Sequence, residues 1–396
     1  MRVSLASRIF APEPSAASFR LSALADSFAL AGDTVEVLTV NTARNSPTPD
    51  DSGLRYRVKR FPVLRDKHGY VRGYIQYLSF DVPLFFRILF GKQRDLIVVE
   101  PPPTTGLFVR VAAALRRTPY AYYAADIWSD AVAGTGAAPG LVARVLRGVE
   151  KFALRGAAVV FSVSDGVTDR LTEIGIDERS IVTIGNGVDL EAFSLEGDAE
   201  KIDGPYFLYA GTASEVHGAR IFVDAFREFH ARYPETRLVY IGQGSEREVI
   251  SEVAATLPAG AVIELPRLDP SVVARWLRGA IVSLASSRPG QGYDFGFPTK
   301  MYASVAVGTP VIFTGLGPAI DFLRSAEAGW AVDYDKSQVV AAMTSAYEAS
   351  RTPEWLQQRQ PFALRMRETV GLDRVAHRAV TAAHERVSPS NRGSTR

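Results

Sequence analysis

No cysteine occurs among the 396 residues, which excludes disulfides, thiolate catalysis and Cys-based zinc sites together and fits a reducing compartment. The five histidines are scattered, with no His-x-His or His-Glu-x-x-His pair, so no structural or catalytic metal centre is expected. No run of about 18 uncharged apolar residues is present, and the apolar stretch after Met1 is cut short by Arg8 and Pro12. A cytoplasmic chain is therefore expected. The first strand-to-helix loop, Phe10 to Ser18, holds no glycine, which removes the Gly-x-Gly-x-x-Gly turn of a dinucleotide-dependent oxidoreductase. No Asp-x-Asp pair of the metal-binding kind is expected after a strand.

What is present is enough apolar residue for two cores. With 47% hydrophobic residues over this length, the chain exceeds the roughly 250 to 300 residues at which single cores stop growing. Net charge is only +2, yet Leu54 to Asp95 holds ten basic residues against three acids. Within that stretch Tyr70 to Phe90 is rich in aromatics and carries Arg72 and Arg87. Two readings stand: a partly buried helix with a charged face, or a peripheral contact with an anionic membrane through residues 54–95. No nucleic-acid-binding module accompanies it. The polar tail, residues 389–396, is expected to be disordered.

Segments of period two alternate with segments of helical period from the start. Strand-like Val3 to Ser7, helical Phe19 to Ala31 and strand-like Thr34 to Val40 open a βαβ rhythm that runs on to Ile184. After the polar stretch from Ser194 to Gly204, read as a linker, the rhythm restarts at Tyr206 and continues to a strand ending at Thr314. Such alternation predicts mostly parallel sheets covered on both faces, with ligands at the carboxyl ends of the strands. The expected domains are 1–195 and 204–364, with a last helix, 365–388, that either stays with the second domain or packs back on the first.

Three segments carry chemistry. Tyr209-Ala-Gly-Thr-Ala-Ser-Glu-Val-His-Gly218 follows a strand and precedes a helix, so its small residues let backbone amides approach a phosphate; an ordinary βα turn is the competing reading. Gly292 to Val311 reads as a glycine-rich loop and a helix opened near Pro298, with Lys300 in the first turn against the macrodipole unless an anion sits there. Asp126 and Asp130 flank Ile127, Trp128 and Ser129 directly after a strand. A carboxylate there either projects toward a ligand or caps the next turn.

These pieces together resemble the GT-B glycosyltransferases of the large retaining family 4, near the branch that builds bacterial surface polysaccharides. The resemblance spans nearly the whole chain. It rests on Ser7 to Leu21, Tyr123 to Asp130, Ile184-Gly-Asn-Gly-Val-Asp-Leu-Glu-Ala-Phe193, Tyr209 to Gly218, Tyr240 to Gly244, and Phe297-Pro-Thr-Lys-Met-Tyr-Ala-Ser-Val-Ala-Val-Gly-Thr-Pro-Val311.

The resemblance implies an α/β chain of two doubly wound, Rossmann-like parallel-sheet domains facing a central cleft. It implies transfer of a sugar, with retention and without a metal or other cofactor, from a UDP- or GDP-linked donor to a glycan or lipid-linked acceptor. The donor diphosphate is expected on amides of Gly211 and Thr212 and on the stretch Asp294, Phe295, Gly296, Phe297, Pro298, Thr299, with Lys300 as cation. His217 stands near where relatives carry a basic residue; it either hydrogen-bonds phosphate or caps a turn. The family's pair of glutamates falls at Phe295 and Ala303, neither acidic. Asp126 is the catalytic candidate, and Ser15, Ser18, Arg20 and Asp130 are the expected acceptor side. An inactive glycan- or partner-binding relative and a GT-B sugar epimerase are the rival readings.

Overall fold

A computed structural model of the chain describes residues 1–13, 15–43, 49–66, 69, 71, 73–130, 140–291 and 294–387. It divides into two units, Met1–Asn186 together with the C-terminal segment from Leu372, and Gly187–Gly371. The reading of the tail falls outside the described residues, as do Lys67, Tyr70, Arg72, Gly292 and Tyr293.

The first unit is built on a seven-stranded sheet of order β3-β2-β1-β4-β5-β6-β7. Its strands are β1 (Arg2–Ala6), β2 (Thr34–Val40), β3 (Arg57–Phe61), β4 (Leu96–Val99), β5 (Tyr120–Ala124), β6 (Val159–Ser162) and β7 (Ile181–Thr183), every pair parallel. Strands such as Leu96–Val99 are buried at every residue, as a sheet covered on both faces requires. Helices α1 (Ala16–Leu30), α2 (Tyr74–Phe90), α3 (Pro103–Arg116), α4 (Gly140–Arg155) and α5 (Asp165–Glu173) connect them. Right-handed crossovers put α2, α3 and α4 on one face and α1 on the other, because the strand order reverses between β1 and β4.

The second unit repeats the plan with six parallel strands, β8 (Tyr206–Ala210), β9 (Arg237–Ile241), β10 (Val262–Leu265), β11 (Val282–Ser286), β12 (Val311–Thr314) and β13 (Gly329–Val332), in the order β10-β9-β8-β11-β12-β13. Its helices are α6 (Arg220–His230), α7 (Arg247–Ala254), α8 (Pro270–Gly279), α9 (Lys300–Ala306), α10 (Pro318–Ala326), α11 (Lys336–Ser350) and α12 (Pro353–Val370). Phe207, Phe222, Phe226 and Phe229 fill the core on one side of the sheet; Leu208, Met301, Val305 and Phe313 fill it on the other.

The polar stretch from Ser194 belongs to the second unit and is anchored to α8: Arg278 donates to the carbonyls of Ser194 and Asp198, and Arg275 pairs with Glu200 at 2.9 Å. The last helix, α13 (Leu372–Val387), lies against α1 in the first unit. His384 Nε2 is 2.7 Å from the Asp33 carboxylate, and Arg378 donates to the Ile184 carbonyl at 2.7 Å. An Asp-x-Asp pair does follow a strand that periodicity left unassigned, Asp333 and Asp335 after β13. Asp335 caps α11 by accepting from the Gln338 amide at 3.0 Å, and Asp333 accepts from the Gln338 side chain at 3.0 Å.

Candidate active site

In the second unit the sheet's order reverses between β8 and β11, and open α/β sheets bind ligands at the carboxyl ends beside such a reversal. A pocket of about 230 Å³ lies there, lined by Ala210, Gly211, Thr212, Gly242, Gln243 and Lys300 together with apolar Phe193, Val273, Leu277 and Ala303. Two glycine turns form its floor. Gly211, Gly242 and Gly244 all have φ between 135° and 147°, a region closed to side chains at low cost. A Cβ at Gly242 would sit 2.2 Å from the Gly211 carbonyl oxygen, so the turns pack backbone on backbone. The Gly211 amide donates to Ile241 and the Ala213 amide to Gln243, both at 2.8 Å.

This changes the part played by Gly211. Its amide is spent on the neighbouring strand, so it does not offer the phosphate donor expected of it. What it supplies is space, since a Cβ there would stand 3.1 Å from Lys300 Nζ. Thr212, exposed between the two laddered amides, faces the pocket.

Lys300 is half-buried as a residue, but its ammonium is wholly buried and has no hydrogen-bond partner. It lies 3.7 Å from the centroid of the Tyr209 ring, a contact that attracts a cation without replacing its lost water. Desolvation pushes its pKa down to about 7. Burial is the cause, and the helix expected to repel it, α9, has only seven residues. His217 is a neighbour: burial first, then the Lys300 charge, push it down to about 4. Its Nδ1 is 2.7 Å from Ser214 Oγ. Two nitrogens able to take a proton thus lie beside an exposed loop, with no carboxylate paired to either among the described residues.

The rest of the glycine-rich segment holds itself. The Asp294 carboxylate accepts the Gly290 amide at 3.2 Å. Phe295 is also engaged within the protein, while Gly296 stays half-buried. Phe297 stacks on Tyr302 with centroids 4.4 Å apart. The Pro298 and Thr299 carbonyls accept the amides of Met301 and Tyr302 at 3.0 and 3.1 Å. From this segment only Lys300 and Ala303 line the pocket among the described residues. Ala303 therefore presents a methyl group to the pocket wall.

In the first unit, the carboxyl ends of β1, β4 and β5 bring together Ser7, Glu100 and Asp126. Glu100, which sequence reasoning passed over, accepts from Ser7 Oγ at 3.1 Å and forms a buried ion pair with Arg20. It follows β4 as Asp126 follows β5, so one signal, a charge directly after a buried strand, marks both. The Arg20 guanidinium lies 5.1 Å from the Tyr123 ring centroid, and the Glu100 charge holds its pKa above the ordinary value against burial. Surrounding protein raises the Asp126 carboxyl, Arg20 lowers it, and Glu100 adds a smaller rise. Asp126 is nonetheless exposed as a residue.

The other expected acceptor residues serve the fold. Ser15 is the N-cap of α1, accepting the Ser18 amide at 3.2 Å, and the two hydroxyls lie 3.1 Å apart. Asp130 is buried, held by Arg170 at 2.5 Å and Arg147 at 3.4 Å. The intervening turn is clamped by Glu150, which accepts the Trp128 and Ser129 amides at 2.8 and 3.0 Å. No group of three potential metal ligands occurs among the described residues.

The two sheets, their order and the glycine turns define a two-unit Rossmann-like protein with a pocket at the carboxyl ends of the second sheet. Residues 16–187 match the family model described as a glycosyl transferase 4-like domain, and residues 204–349 match that of glycosyl transferases group 1. The chain belongs to the GT-B glycosyltransferases of the family-4 type. Phosphatidyl-myo-inositol mannosyltransferase of Mycolicibacterium smegmatis is 29% identical over 167 residues, a match that spans 41% of this chain and 41% of that one. Sucrose-phosphate synthase from Thermosynechococcus elongatus shares the fold with a TM-score of 0.72 at 16% identity, covering 97% of this chain and 98% of its own. Anabaena HepE, solved in complex with UDP, does so with a TM-score of 0.70 at 13% identity over 97% and 100% of the two chains.

Proposed function

We propose that this protein moves a sugar from a UDP- or GDP-linked donor to a glycan or lipid-linked acceptor in cell-surface polysaccharide or glycoconjugate synthesis, with retention. The observation that carries the reading is the buried, unpartnered ammonium of Lys300 beside Thr212 and His217 in the second unit. A desolvated lysine facing no carboxylate awaits an anion, and a diphosphate leaving group brings one. In this reading Lys300, the Thr212 amide and a His217 that becomes protonated stabilise the departing diphosphate in place of a metal. Asp126 of the first unit orients the acceptor hydroxyl or stabilises positive charge at the anomeric carbon.

The acceptor's lipid character draws support from the phosphatidyl-myo-inositol in the name of the mycobacterial relative, and a cytoplasmic site with peripheral membrane contact goes with it. A second reading, a binder without turnover, is favoured by one observation: the pocket wall offers a methyl group at Ala303, which the resemblance sets against a family glutamate. Labelled UDP- and GDP-sugars, followed by release of free nucleotide on adding membrane lipid extract, test both. Binding with chelator-insensitive release supports transfer; binding without release supports the second reading; binding of neither donor overturns both.

A further inference from the structure

A second cavity, of about 720 Å³, opens at the other end of the second unit's sheet. It lies where β12 and β13 begin, with Pro310, Trp330 and the last turn of α10 on one side and α12 on the other. The Lys300 pocket is at the carboxyl ends of the strands, and a four-residue strand such as Val311–Thr314 spans about 13 Å. No residue lines both cavities, and every residue of the second lies within Gly187–Gly371.

The walls of this cavity are pinned. Arg359 of α12 donates to the Gly308 and Ala280 carbonyls at 3.0 and 3.4 Å and to Thr309 Oγ1 at 2.5 Å, while Arg365 donates to the Ala326 carbonyl at 3.2 Å. The helix is thus fastened both to the amino ends of the sheet and to the end of α10. The cavity is preformed, and its volume falls in the range of roughly 300 to 1,000 Å³ typical of small-molecule sites.

Its lining selects a class of ligand. Trp330 and Trp355 are half-buried and pack against the core. Their ring centroids are 6.1 Å apart and their planes 32° apart, so the wall carries two similarly oriented indoles. Around them stand groups of both hydrogen-bonding senses. Arg324 supplies a guanidinium and Glu327 a carboxylate, both on exposed residues and neither in an ion pair among the described residues. Glu327 holds φ at 52°, a conformation that usually belongs to glycine, so a carboxylate is kept here at a conformational cost. Pro361, inside α12, has no N–H to give the Gln357 carbonyl four residues before it, which leaves a backbone acceptor at the same wall. Flat apolar surfaces interleaved with donors and acceptors suit a pyranose, with C–H groups on its faces and hydroxyls around its rim that both donate and accept. A phosphate is matched less well, because Arg359 is spent on carbonyls and Glu327 repels it.

We propose that this cavity binds a saccharide, holding a segment of a glycan chain on the second unit away from the Lys300 pocket. The site goes beyond the transfer reaction proposed above and is measured without donor or turnover, so the two fail separately. As a test, the full chain is applied without nucleotide to a printed array of neutral and uronic-acid-containing oligosaccharides, and the strongest binder is titrated calorimetrically. Binding is expected, unaltered by saturating UDP and weakened about tenfold in Trp355→Ala. Arg324→Gln and Glu327→Gln, at exposed positions where the melting temperature should not move, should each weaken it about threefold. Absence of binding to every member of the array overturns the proposal. Competition by UDP also overturns it, because the sugar would then occupy the Lys300 pocket, and so does full-strength binding by all three variants.

Discussion

Lys300 should make this protein less stable in order to make it bind. Its ammonium is buried without a partner, and its pKa falls from the ordinary 10.5 to about 7. That difference corresponds to about 4 kcal/mol held against the folded state near neutral pH. The sign follows from proton counting: between about 7 and 10.5 the unfolded chain holds the proton and the folded chain does not, so stability rises with pH across that window. Lys300→Met keeps the bulk and removes the charge, at the loss of a cation–π contact of about 1 kcal/mol. At roughly 2–4 °C per kcal/mol for a unit of this size, the variant's second unit should melt about 5–10 °C higher at pH 7. The advantage should shrink as pH rises toward 10.5 and be gone above it, where the lysine is neutral in both states.

The same variant should lose nucleotide affinity by about 2–5 kcal/mol. In the unaltered protein a bound diphosphate restores the proton, so affinity should fall about tenfold for each pH unit above 7 until the bound lysine itself titrates. Calorimetric melting at several pH values, with titration of UDP and GDP in parallel, reads all three quantities. An unchanged or lowered melting temperature at pH 7 would refute the burial argument. Unchanged nucleotide affinity would refute the anion site.

The two aspartates of one turn should separate cleanly. Asp126→Asn should abolish transfer while leaving melting and nucleotide binding intact; if the carboxylate is the working form, transfer in the unaltered enzyme rises with pH through its elevated pKa. Asp130→Asn should instead lower the melting temperature by releasing Arg170 and Arg147, with transfer recovered at lower temperature, as thermal scans and initial rates would show. Arg20→Met should cost about 3–5 kcal/mol in denaturant unfolding because it strands the buried Glu100 charge, and adding Glu100→Leu should recover most of the loss. Gly242→Ala should destabilise the second unit and weaken nucleotide binding together, because its Cβ would meet the Gly211 carbonyl at 2.2 Å in a left-handed conformation; wild-type melting in that variant would contradict the backbone packing described.

Much of the fold was legible because parallel sheets leave a strong local trace. Thr34–Val40 is a strand where periodicity places it, and the strand and helix read before it, Val3 to Ser7 and Phe19 to Ala31, overlap β1 (Arg2–Ala6) and α1 (Ala16–Leu30). β3 escaped because Arg57-Val-Lys-Arg-Phe61 is charged and half-exposed, as edge strands are. β13, likewise at an edge and half-exposed, was missed for the same reason. Of the candidate site, Lys300 was legible as a cation in the first turn of a helix after a glycine-rich loop, and Asp126 as a charge after a strand.

Sequence by itself determined the alternating architecture, the glycine turns after β8 and β9, and the cation that belongs with them, since each depends on residues near one another in the chain. Tertiary structure decided what those residues have left to give. Gly211 spends its amide on a strand thirty residues away, Asp130 meets Arg170 forty residues on, and Glu100 finds Arg20 across the sheet. A hydrogen-bonding group can be committed only once by each proton or lone pair, and only the folded chain shows which commitments have been made. Lys300 holds a buried ammonium with no hydrogen-bond partner, and that is a fact of burial, which no linear pattern contains.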